Sequence, residues 1–183
     1  MANFHELCRI GNLKDVEDAV KSGVELNVRD YVGRTGLMFA LWNKHTEVAT
    51  MLVQNPAVDV NIAKYGGRCA LHIASQNDEN SDCLALILAR EDLTTVNNQN
   101  KNGSTPLMFA IRNRATRCME VLLSEDRTDP NLGRFANEGI SFSPIMFAVK
   151  KNFVPELELL LADRRVDLQT RDDYRRTGEE IDR

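Results

Sequence analysis

A chain of 183 residues, 43% hydrophobic and 27% charged, suits one domain or a short repeat array and can bury a core while staying soluble. Its formal net charge of −4 argues against a nucleic-acid footprint, and its longest apolar run, CLALILA at 83–89, is too short to span a bilayer. MANFHELCRI at the start has no basic segment followed by an apolar one, so no secretory signal is expected, and scattered cysteines at 8, 69, 83 and 118 suit a reducing compartment, cytoplasmic or nuclear.

In chain order, one short pattern recurs: RTGLMFALWN (34–43), RCALHIASQN (68–77), STPLMFAIRN (104–113) and FSPIMFAVKKN (142–152). Thr35, Cys69, Thr105 and Ser143 follow one another at intervals of 34, 36 and 38 residues, and Thr177 in RRTGEE stands another 34 on. A period in the mid-thirties predicts stacked supersecondary units in place of one central core. Each unit opens on a turn-rich stretch (DYVGRT, KYGGRC, NKNGST). A capping residue follows, whose oxygen can accept from an orphan helix N–H. Pro106 and Pro144 then sit at the first helical position, where a missing N–H costs nothing.

The first helix of each unit carries Leu37, Leu71, Leu107 or Ile145 and, three residues on, Ala40, Ala74, Ala110 or Ala148, a single buried stripe. Second helices are predicted over 47–53, 83–89, 118–123 and 156–161, leading through VDVN (58–61) or TDPN (128–131) into the next turn. None of these helices is long enough to be stable alone in water.

Turn, G-x-T-P-L, Ala, a second helix ending in L-L, then D-V-N resembles the ankyrin repeat, most closely in NGSTPLMFA (102–110) and VDVN (58–61). The resemblance covers nearly the whole chain and implies a mainly α solenoid of helix pairs joined by β-hairpin-like turns. The expected divisions are 1–29 as an N-terminal capping repeat, then repeats over 30–63, 64–99, 100–133 and 134–171, the last with an enlarged hairpin loop. Residues 172–183 are a polar tail or a truncated fifth repeat, whose TGEE lacks the Leu that seats a helix.

The chain departs from the family in two places. The family's His after the Leu survives only as His72, with Met38, Met108 and Met146 elsewhere; a flexible thioether then replaces the Thr–His hydrogen bond by packing. The family glycine between the helices is replaced by Lys44, Asp78, Arg114 and Asn152. Asn43, Asn77 and Asn113, one residue earlier, are expected to close the helices in the left-handed conformation.

Reactive chemistry finds little support. HELC (5–8) and CALH (69–72) pair His with Cys, but two of these residues fall in capping and family slots, Cys8 faces the packed side, and no C-x-x-C is present; no metal or cofactor is expected. No G-x-S-x-G, H-E-x-x-H or P-loop occurs, and Glu47, Glu156 and Glu158 read as solvated, so no catalytic residues are assigned and the chain is not expected to be an enzyme.

What the resemblance implies instead is a binding surface, a concave face of hairpin tips and first helices that takes a protein or peptide. The slots on it are Tyr31, Val32 and Arg34, then Tyr65 and Arg68, then Lys101, with Trp42, Gln76, Arg112, Lys150 and Lys151 at the helix ends. Tyr, Trp and Arg are the residues that dominate binding hot spots. Phe135, Ile140 and Phe142 in the enlarged loop RFANEGISF (134–142) either protrude as a finger or fold back on the neighbouring tip. Arg112, Arg134, Lys150 and Lys151 make that end locally basic, which suits an acidic partner. The expected role is a scaffold or adaptor without membrane contact, monomeric by default. The alternatives are a regulatory domain of a longer protein and RNA or charged-ligand binding by the basic half.

Overall fold

The computed structural model describes residues 3–137 and 140–170, and among these the side chains of all but residues 135–137, 140 and 141. Helices come in five pairs: α1 (Phe4–Ile10) with α2 (Leu13–Lys21), α3 (Gly36–Trp42) with α4 (Thr46–Gln54), α5 (Ala70–Ala74) with α6 (Ser81–Leu88), α7 (Pro106–Asn113) with α8 (Thr116–Ser124), and α9 (Pro144–Lys151) with α10 (Val154–Ala162). A 3-10 turn at Asp78–Asn80 precedes α6. At five to nine residues, none of these helices is self-supporting. The first helices stack as one layer, α1 on α3 on α5 on α7 on α9, and the second helices as another, giving the expected mainly α solenoid.

The repeating slots build the core. Leu37, Leu71, Leu107 and the four stripe alanines are 0–2% exposed, and Ile145 is 8%. Each such aliphatic side chain contributes about 1.5–3 kcal/mol by leaving water, while the alanines let adjacent helices close up. Met38, Met108 and Met146 are buried where the family carries His, as their thioether packing requires. Gly36 holds the first slot of α3 because α1 lies too near for anything larger: a Cβ there would meet Phe4 Cε1 at 2.7 Å and Cys8 Sγ at 2.8 Å.

Helix starts follow the sequence, with one exception. Thr35 Oγ1 accepts from Met38 N–H at 3.4 Å and Thr105 Oγ1 from Met108 N–H at 3.3 Å, while Pro106 and Pro144 open α7 and α9. Ser143 makes no capping bond; its hydroxyl meets Thr170 Oγ1 at 3.1 Å instead.

Helix ends correct the expectation for the asparagines. The left-handed residues other than glycine are, among the described residues, Lys44 (φ 63°), Arg114 (φ 59°) and Asn152 (φ 53°), in the very slot where the family carries glycine. Asn43 and Asn77 have negative φ, and Asn113 is still helical. Asn43 and Asn113 act one position earlier, their Nδ2 donating to Phe39 O (2.8 Å) and Phe109 O (2.7 Å), carbonyls of the last helical turn that have a second lone pair to offer.

A second row of asparagines ties the repeats together. Asn27 donates to Ala57 O and accepts from Asp59 N–H, both at 2.8 Å. Asn61 does the same with Asp92 O and Thr94 N–H, Asn97 with Arg127 O and Asp129 N–H, and Asn131 with Arg165 O and Asp167 N–H. One side-chain amide thus satisfies a donor and an acceptor of the next repeat's connecting loop at every step, which fixes inter-repeat register where helix packing alone would permit sliding.

The enlarged fourth turn forms a real hairpin. β1 (Phe135–Asn137) runs antiparallel to β2 (Ile140–Phe142), with Phe135 opposite Phe142. The other turns keep to hydrogen-bonded tips, and residues 172–183, expected as a polar tail or a truncated fifth repeat, lie outside the described residues.

Candidate functional site

The hairpin tips form one continuous edge. Tyr65 N–H donates to Val32 O, Lys101 N–H to Gly66 O, and Arg134 N–H to Gly103 O, each at 2.9 Å. Within a tip, Asp30 Oδ1 accepts from Val32 and Arg34 N–H, and Asn100 Oδ1 from Asn102 and Ser104 N–H, so the loops are held without help from a ligand. Gly67 is required twice over, by its positive φ of 80° and because the next tip passes close by, with Asn100 Cα 3.1 Å from where a Cβ would stand.

This edge presents Tyr31, 85% exposed, and Tyr65, 70% exposed, and Trp42 at the end of α3 is 57% exposed. Arg34 is held by Asp30 (2.7 Å) and lies 4.5 Å over the Phe39 ring, and Arg68 lies 4.8 Å over Phe109. Stacking on the aromatic faces below leaves both guanidinium groups at the surface. Lys101 and Arg112 are exposed, and Val32 is half-buried. Gln76 is half-buried too, with its Nε2 enclosed and lacking a hydrogen-bond partner among the described residues.

At the C-terminal end the expectations divide. Lys150 and Lys151 are exposed, with the Lys150 ammonium 4.3 Å over the Phe142 ring and that of Lys151 6.0 Å over Phe147. Phe142 itself is only 1% exposed, so it is not available as a contact: its ring folds back into the core, and Lys150 covers it. The side chains of Phe135 and Ile140, the remainder of the expected finger, lie outside the described ones.

The face carries concentrated positive charge. Burial, then the neighbouring cations Arg68 and Arg34, depress the Lys64 ammonium's affinity for its proton, and burial followed by Arg112 does the same to Arg68. Asp30 is the carboxylate that acts on Lys64, and Arg34 already holds it. Beside this cluster, Val32, Met38, Phe39, Trp42 and Ile73 enclose a recess of about 360 Å³, rimmed by Arg9, Arg34 and Lys64.

Away from the face, the polar groups weighed for chemistry are structural. His72 is fully buried; its Nδ1 accepts from Cys69 N–H (3.2 Å), so Nε2 carries the proton and donates to Ser104 O (3.0 Å). Burial pushes its pKa down to about 4. His5 meets Val28 O at 2.8 Å, and burial pushes the thiols of Cys8, Cys83 and Cys118 up to about 12, far from the thiolate a nucleophile or metal ligand supplies.

Sequence reasoning missed Glu156. It is 1% exposed, not solvated, and its Oε1 meets Arg114 Nε at 3.2 Å while Oε2 has no hydrogen-bond partner among the described residues. The signal was present in the alignment. Counted from the capping residue, Glu156 stands where the first and third repeats place Val48 and Cys118.

Comparison with known proteins follows the same lines. A family model described as ankyrin repeats (3 copies) matches residues 4–97, 66–134 and 93–172. Over 99 residues the chain is 30% identical to the target of rapamycin complex 2 subunit AVO2 of Saccharomyces cerevisiae, covering 54% of this chain and 22% of that protein. It is 40% identical over 87 residues to the probable E3 ubiquitin-protein ligase XBOS33 of Oryza sativa subsp. japonica, covering 47% and 16%. Over 94 residues it is 34% identical to inversin of Gallus gallus, covering 51% and 8%. The match therefore spans less than a quarter of the length of each of these relatives.

Proposed function

The chain belongs to the ankyrin-repeat family, and on that premise we propose that it works as a scaffold or adaptor, holding a protein or peptide on the face of hairpin tips and first helices. Repeats of this family are generally protein-interaction modules, and one relative is by its name a subunit of a complex. The observation that carries this reading is the exposure of Tyr31 and Tyr65 on a tip edge whose backbone is already hydrogen-bonded, with Trp42 exposed at the end of α3. Exposed rings on a rigid support bury large area on binding with little ordering cost. No residue among these repeats is assigned a catalytic role, since the buried thiols and imidazole are held in their unreactive forms.

The partner is acidic, guided by Lys64, Arg68, Lys101 and Arg112, a local excess of cations on a chain of net charge −4. The four free, buried cysteines suit a reducing compartment, so the cytoplasm or nucleus is the proposed location. Affinity capture with the unmutated chain and with a Trp42→Ala/Tyr65→Ala variant tests the face. Both rings are mostly in solvent, so the double variant melts within about 2–4 °C of the parent. Partners retained by the parent and lost by the folded variant bear the proposal out. Equal retention places the site on another surface.

A further inference from the structure

We propose that the recess between α1, α3 and α5 is an anchor site for one bulky apolar side chain of an acidic peptide, whose carboxylates flank that anchor and lie against Lys64 and Arg68. The proposal rests on the reading of this face as the partner site, and it names what the partner must present there.

Two independent features meet at this place. The walls are apolar: Val32 from the first tip, Met38, Phe39 and Trp42 from α3, and Ile73 from α5. At about 360 Å³ the recess falls at the small end of ligand sites, which run from about 300 to 1,000 Å³, so it suits one large side chain better than a cofactor. An apolar hollow of this kind gains from a group that displaces its water, and Trp42, 57% exposed, has much of its ring free to be covered.

The rim then sets the chemistry of the flanking residues. Arg9 and Arg34 already hold Glu6 and Asp30, at 2.6 and 2.7 Å. Lys64 and Arg68 make no ion pair among the described residues, and each feels a neighbouring cation of like charge. Arg68 is further braced on the Phe109 ring at 4.8 Å, which fixes its guanidinium at the surface before any ligand arrives. A carboxylate placed between these two cations relieves their repulsion, whereas a basic peptide adds to it. Lys101 and Arg112 extend the same charge along the tips, so acidic residues on both sides of the anchor find partners.

The test is selection from a phage-displayed random dodecapeptide library on the unmutated chain, followed by binding of the enriched peptides as fluorescein conjugates. Enriched sequences should share one Phe, Leu or Trp flanked by Asp and Glu. A form without an aromatic anchor should shift the emission of Trp42, the chain's sole tryptophan, to shorter wavelength. Replacing the anchor by Gly, or using Lys64→Glu/Arg68→Glu, should each weaken binding about tenfold or more. Enriched peptides that depend on Tyr31→Ala/Tyr65→Ala but lack the anchor or the acids overturn this proposal and leave the face as the partner site. Peptides indifferent to the anchor replacement, the charge reversal and the tip variant alike overturn both readings. No enrichment at all overturns the anchor, with the capture experiment still deciding the face.

Discussion

The second and fourth repeats each bury a polar side chain in a slot that other repeats fill with an apolar one, and they satisfy it to different degrees. His72 replaces the methionine of the other three, and both of its ring nitrogens are bonded, one to the backbone of its own cap and one to Ser104 O of the next repeat. Glu156 replaces Val48 and Cys118 of the first and third repeats, and among the described residues only one of its oxygens is paired, with an Arg114 side chain that is 55% exposed. A polar group in a stack is satisfied when the adjacent repeat offers backbone at a fixed place. A side chain reaching in from solvent does it less completely, because a buried carboxylate has more lone pairs than one Nε–H can fill.

The largest expected effect comes from His72. The unfolded imidazole takes up a proton near 6.5, whereas the buried one does so only near 4. Its contribution is therefore full above 6.5 and is lost as the pH falls through that window, reaching about 3 kcal/mol at pH 4. His72→Met, which copies the other repeats, should remove that share of the acid sensitivity. Urea midpoints of parent and variant at neutral pH and at pH 4 measure it. Parallel losses in both proteins would show that His72 does not titrate this way.

Next in size is the Arg114–Glu156 pair. Arg114→Ala leaves Glu156 buried without its partner and should cost about 2 kcal/mol, below the figure for a fully enclosed pair because Arg114 is half in solvent. Adding Glu156→Val, the residue of the first repeat's slot, should recover most of that loss. A double variant no more stable than the single one would mean that the carboxylate is not the source of the penalty. Urea denaturation at neutral pH distinguishes these outcomes.

The smallest effect is expected at the equivalent corner of the first repeat, where Lys44 pairs with Glu79 at 3.1 Å with both side chains largely exposed. Lys44→Gly gives up an ion pair worth little and relieves a left-handed residue that costs about 1 kcal/mol or more. A net stabilisation of about 0.5 kcal/mol in the same assay would set this corner apart from the one at Arg114. A clear destabilisation would show that the exposed pair matters more than the strain.

Much of the architecture was legible because it depends on spacing along the chain. The period, the capping threonines, Pro106 and Pro144, and the Leu–Ala stripe each act over a few residues, and four aligned copies of the pattern outweigh any single departure. The left-handed residues were placed one position early. Asn carries the stronger local preference, yet the shape of the corner imposes that conformation on Lys44 and Arg114 at a cost in strain. Glu156 was misjudged for a related reason: it looks like a surface residue in its own segment, and burial depends on what a neighbouring element covers, which also decided that Phe142 folds back and does not protrude. Of the expected contact residues, the exposure of Tyr31, Trp42 and Tyr65 follows from their slots.

The amino-acid sequence by itself determined that this chain is a stack of helix pairs, which slots hold it together and which vary, because those features are written in local periodicity and capping. Only the tertiary structure decided that Arg114 meets Glu156, that asparagines at 27, 61, 97 and 131 reach across to the following repeat, and that Arg34, Lys64 and Arg68 gather beside one apolar recess. Such contacts join residues about thirty to forty positions apart, and their distances are set by how one repeat rotates and packs on the next, which no single segment specifies.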